Sequence, residues 1–127
     1  MSHPGEERQQ VEQTVAEEIL RIHSESYGRG AAQARAHILD NDVVVFLDDI
    51  ELLPYEEFLV GHGHADTVVD VRSKFQQAIE TTFRAAVERA TGRRVVAFAS
   101  YTNLEANFVC ELFRLAPEGT DEPLQEP

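Results

Sequence analysis

Cysteine, basic charge and long apolar runs are all scarce in this chain, and each scarcity narrows what the protein can be. A single cysteine, Cys110, leaves no intramolecular disulfide and no Cys-x-x-Cys zinc or redox site, which fits a reducing compartment. No apolar stretch approaches the roughly 20 residues that a membrane helix needs, so membrane insertion is not expected. The opening residues, MSHPGEERQQ, lack the positive start and apolar core of a secretory signal, and the expected location is cytoplasmic. Lysine and arginine total 11 against 23 acidic residues, a formal net charge of −12. That charge repels phosphates at long range and argues against a nucleic-acid partner. Arg72, Lys74, Arg84, Arg89, Arg93 and Arg94 do not offset it locally. They alternate with Asp70, Glu80 and Glu88 along one helix and its exit, and read as a solvated face.

What is present suits one soluble domain. At 127 residues, with 43% hydrophobic and 27% charged, the chain can bury roughly two thirds of its unfolded surface and fold without staples. The expected organisation is a flexible N-terminus over 1–9, a single domain over 10–115, and a disordered tail over 116–127, where PEGTDEPLQEP is acidic and proline-rich.

Periodicity orders the domain. Val11, Val15, Ile19 and Ile22 recur at helical spacing and predict a helix over 6–27, closed by Gly28. Alternation in AQARAHIL, turn chemistry in DND, and the β-branched run VVVFL predict a hairpin. Pro54 fits the first position of a short helix ending at Gly61. Thr67 and Asp70 resemble a capping box ahead of a long helix whose stripe is Val68, Val71, Phe75, Ile79, Phe83, Val87 and Ala90, closed by Gly92. RRVVAFASY and NFVCELFRL read as two more strands, with Cys110 in the core beside Phe108 and Leu112. The expected fold is therefore α+β and two-layer, with helices on a four-stranded, mainly antiparallel sheet in the order α-β-β-α-α-β-β. VVVFL and VVAFA are apolar at successive positions, so both sheet faces call for burial, and a homodimer would supply it.

Candidate chemistry is sparse. In LVGHGHADT, residues 59–67, His62, His64 and Asp66 could begin a metallo-hydrolase site, but no histidine follows His64 to complete one. The segment reads better as a joint between helices, with a pH-responsive pair as the alternative. Glycines around Arg29 could form an anion-holding nest, yet they follow a helix where phosphate motifs precede one. Asp48, Asp49, Glu51, Glu56 and Glu57 match no EF-hand spacing and read as a solvated acidic rim. No nucleophile elbow and no paired base for Cys110 are evident, so no enzymatic activity and no cofactor are expected.

Three segments resemble a known family: YGRGAAQARAHILDNDVVVFLDDIELLPYEEFL, VVDVRSKFQQAIETTFRAAVERATGRRVVAF and ANFVCELFRL. They are similar to the DUF2294, or MpsC-like, family, named for a component of a bacterial sodium-translocating, membrane-potential-generating system. The matching positions are Gly28, Arg29, Gly30, Glu57, Arg72, Gly92 and Arg93, while Ala31 stands where the family usually has proline and Pro54 where it often has threonine. The resemblance implies a non-enzymatic accessory or regulatory domain near a cation or bicarbonate transport system, with a protein partner at the membrane. It leaves a small-molecule or anion sensor, held by Gly28, Arg29, Gly30, Arg72 and Arg93, as the alternative. A metal-dependent hydrolase at His62, His64 and Asp66 is a third reading.

Overall fold

A computed structural model describes residues 4–28 and 30–117. Its elements are α1 (Pro4–Tyr27), β1 (Ala31–Leu39), β2 (Asp42–Ile50), α2 (Pro54–Gly61), α3 (Ala65–Thr91), β3 (Val95–Asn103) and β4 (Phe108–Leu115). The four strands form one antiparallel sheet in the order β1-β2-β4-β3. Each half of the chain thus contributes a hairpin, and the hairpins meet through their second strands. Helices α1 and α3 pack on one face of the sheet, giving the α+β two-layer arrangement expected from the residue pattern.

Strand alternation decides which residues enter the core. Val43, Val45 and Leu47 on β2 pair across to Phe113, Glu111 and Val109 on β4, and all six are fully buried. Ile19, Phe83 and Val87 close over them from the helices. Each such apolar side chain contributes about 1.5–3 kcal/mol by leaving water. Gly28 and Gly92 adopt the left-handed conformation that ends α1 and α3, at φ of 76° and 69°. Asp40 turns the first hairpin with φ of 58°.

The other face carries Val44, Phe46, Phe108, Cys110, Leu112 and Tyr101, and among the described residues no helix covers it. Cys110 is therefore half-buried on the open face and not in the core; the buried residues of β4 are Val109, Glu111 and Phe113. All-apolar neighbours gave the strand two possible phases, and Glu111 made the buried one look like the wet one.

Three local expectations also change. Helix α1 begins at Pro4, two residues before the expected start at residue 6 and within the segment 1–9 that was also expected to be flexible; residues 118–127 of the expected tail lie outside the described residues. Helix α3 starts at Ala65 with His64 as its cap and no side-chain capping bond, which places Thr67 inside the first turn. Val71 is 45% exposed, because the stripe of α3 is turned to bury Arg72 and Gln76 instead.

Candidate functional site

Val68, Arg72 and Gln76 follow one another at i, i+4 on α3 and so lie on one helix face, and that face points inward. Across from it, His23 and Tyr27 occupy the last two turns of α1, also at i, i+4, and are buried. Glu56 stands in the first turn of α2, where its carboxylate accepts the Leu53 N–H at 2.8 Å. These three helix ends converge on a polar cluster inside the fold.

Its centre is a buried ion pair. Arg72 Nε and Nη2 donate to the two Glu56 oxygens at 2.7 and 2.8 Å, with the side chains 1% and 2% exposed. The guanidinium lies 4.6 Å from the Tyr27 ring centroid, a cation–π contact. The same ring meets His23 at 4.5 Å and Phe75 at 4.4 Å. Gln76 Nε2 donates to the Tyr27 hydroxyl at 3.1 Å, and that hydroxyl points to the Arg72 carbonyl at 3.5 Å. Deeper, Glu111 faces the core from the centre of the sheet with Ser100 opposite it on β3.

The electrostatics follow from burial. Burial opposes ionisation of Glu56, but the Arg72 hydrogen bonds and charge and the Leu53 N–H outweigh it and hold the carboxyl below its usual value. Burial, reinforced by the Arg72 charge, depresses His23 to about 4. Burial raises the Tyr27 hydroxyl well above its ordinary value. Burial also pushes Glu111 up to about 8. The Ser100 hydroxyl is close enough to favour its ionised form, yet makes no hydrogen bond of acceptable geometry, so desolvation wins. At neutral pH the cluster therefore holds one matched ion pair, a neutral imidazole and a protonated carboxyl. Arg72 Nη1, Gln76 Oε1, both His23 nitrogens and both Glu111 oxygens are buried without partners.

The residues singled out from sequence divide between separate places. Gly28 follows Tyr27 in the chain and Gly30 lies two residues further on, with the Gly30 carbonyl accepting the Glu51 N–H at 2.9 Å; Arg29 lies outside the described residues. Arg93 is at the far end of α3, about 30 Å along the helix axis, where it donates to Asn41 Oδ1 at 2.6 Å and to the Ala116 carbonyl at 2.7 Å. The structure does not bring Arg72 and Arg93 together. Two sequence expectations are corrected here: Arg72 is not on a solvated face, and Glu56 is not part of a solvated rim. Glu57 is exposed, and its neighbour Glu56 makes the pair.

His62 caps α2, stacks on Phe58 at 4.1 Å and bonds the Phe58 carbonyl through Nδ1 at 2.8 Å. His64 caps α3 and Asp66 lies in its first turn, and all three side chains are exposed. Among the described residues no group of three or more His, Cys, Asp and Glu side chains is placed to hold a metal ion. Cys110 is on the opposite sheet face from the cluster, with its thiol raised by burial and then by Glu111.

The match to known families spans nearly all of these elements. The family model described as "Na+-translocating membrane potential-generating system (MpsC)" matches residues 7–117. The chain belongs to the MpsC family. No curated protein and no solved structure matches it at a significant level. The MpsC match runs from the first turns of α1 to just past β4, so the buried cluster and the open sheet face both lie within the family domain. Among the described residues no helix is long and apolar enough to cross a membrane.

Proposed function

We propose that this MpsC-family protein is a non-catalytic, cytoplasmic accessory or regulatory component of a sodium-translocating, membrane-potential-generating system, and that it works as a homodimer that presents a composite surface to a protein partner at the membrane. The observation that carries this reading is the open face of the sheet. Val44, Phe46, Cys110, Leu112 and Phe108 form its apolar centre, and Tyr101 and Leu39 extend it at 57% and 61% exposure. Charges on this face come as cross-strand pairs, Arg35 with Asp48 at 2.8 Å and Arg114 with Asp42. Two arginines against two aspartates leave the face formally neutral on a chain of −12. A second copy can therefore make contact here without placing like charges against each other at the interface itself. Four strands at about 4.8 Å spacing and roughly 27 Å of strand length give a face near 500 Å² in projection. Side-chain relief raises this towards the roughly 800 Å² per partner of stable interfaces.

Light scattering at micromolar concentration tests it. The wild-type protein is expected at twice 14.3 kDa. The double variant Val44→Glu, Leu112→Glu is expected at the monomer mass with an unchanged circular-dichroism spectrum, because both side chains are on the open face. A wild-type mass of 14.3 kDa removes the dimer from the proposal.

A small-molecule or anion sensor is the second reading, favoured by the unpartnered Arg72 Nη1 and Gln76 Oε1 inside the buried cluster. A ligand at 100 times its dissociation constant adds about 2.7 kcal/mol to stability. A melting screen with phosphate, bicarbonate and nucleotides that gives no shift would leave this reading without support.

A further inference from the structure

Glu111 stands out among the buried groups because nothing neutralises it. It lies on β4, a central strand, with Val45 on one side and Ser100 on the other in the same inward row. Its exposure is 0%, and neither carboxyl oxygen has a hydrogen-bond partner. The ion pairs of the described residues do not include it. The charged and titratable groups of the surrounding elements are otherwise engaged. Arg72 on α3 is committed to Glu56 on α2 through both oxygens. Tyr27 on α1 feels the Glu111 charge, but its hydroxyl is bonded to Gln76. His23 on α1 interacts with Arg72 and Glu56, β1 offers only Ala36 in this row, and Cys110 on β4 itself points to the other face.

A carboxylate in such a place is expensive to keep charged, and the inexpensive form is the one that carries a proton. We propose that Glu111 is a proton-binding site built into the core, and that release of its proton to solvent loosens the β3 side of the sheet and makes the fold responsive to alkaline pH. The direction of loosening follows from topology. Strand β3 is an edge, paired only to β4, and it carries Ser100, the one hydroxyl across from the carboxyl. Water reaches Glu111 with least disruption by parting β3 and α3, because the opposite side is closed by β2 and β1. This device is independent of the dimer reading.

The sign is fixed by linkage. The folded carboxyl titrates near 8 and the unfolded one at 4.5. Between those values the folded state holds the extra proton, and stability falls as pH rises. Carboxyl infrared spectroscopy of the wild-type protein, titrated from pH 4 to 10, reads the site directly. A protonated-carboxyl band persisting at pH 7 and disappearing with a midpoint near 8 is expected, and Glu111→Gln should remove it. Relative to Glu111→Gln, the wild-type folding constant should fall by up to tenfold per pH unit across the window. Ser100→Ala, which removes the influence favouring ionisation, should move the midpoint upward. Loss of all protonated-carboxyl signal by pH 6 overturns the proposal, and that result needs no variant to fold. A midpoint near 8 with identical pH profiles in wild type and Glu111→Gln overturns the assignment to Glu111.

Discussion

His23 and Glu111 perturb the stability of the same core in opposite directions. His23 titrates near 4 when folded and 6.5 when unfolded, so it is buried neutral and must charge as the chain unfolds in acid. Its contribution is complete above pH 6.5 and is lost as pH falls towards 4. Glu111 behaves conversely, with its contribution complete below 4.5 and lost as pH rises towards 8. In the overlap, from about 4.5 to 6.5, one slope rises with pH and the other falls, each by one proton. The wild-type core contribution should therefore be nearly flat there. Melting temperatures of single variants uncover the cancellation: Glu111→Gln should rise with pH across that window and His23→Leu should fall. Parallel profiles for all three proteins would show that the two groups do not titrate as their burial requires. Neither group was legible as a site in the sequence. A histidine on a long helix and a glutamate among apolar strand residues are ordinary, and only the three-dimensional phase shows that both point inward.

At the scale of elements, α2 is the part held most narrowly. It packs on α3, and its one buried side chain is Glu56, paired to Arg72. Replacing Glu56 with Gln leaves a buried guanidinium without its counter-charge, which costs about 3–5 kcal/mol. The loss should appear first as faster amide exchange over Pro54–Gly61, and the double variant Glu56→Gln, Arg72→Met should cost less than Glu56→Gln alone. Equal exchange in α2 and in the central strands would mean that the pair does not tether the helix separately. Element types and order were legible in the sequence because punctuation and period agree there: Gly28, Gly92, Pro54 and the two β-branched runs each have a local physical meaning. The facing of α3 was not. Counting only apolar residues selected Val71 for the stripe, whereas the i, i+4 run Val68, Arg72, Gln76 is the buried one. Charge is a mark of solvent only as a rule of thumb, and the rule fails where a second element brings the opposite charge. Likewise the pattern of β4 does not fix its phase, since every second residue on either side is apolar apart from Glu111 and Arg114.

The whole molecule combines strong acidity with one neutral apolar face. In the proposed dimer, two copies meeting at that face would bring together bodies of −12 each, so their association would be opposed at long range and favoured at contact. The two effects separate with ionic strength. At about 0.01 M salt the Debye length is about 30 Å and the repulsion of the acidic surfaces extends across the dimer, whereas at about 0.15 M it is about 8 Å. The face itself contributes little to this dependence, because Arg35 and Arg114 are already satisfied within their own protomer. The dimer dissociation constant measured by sedimentation should therefore decrease as salt is raised over this range. A constant that increases with salt would indicate an interface joined by ion pairs between protomers, and would relocate the contact to the charged helical side of the molecule.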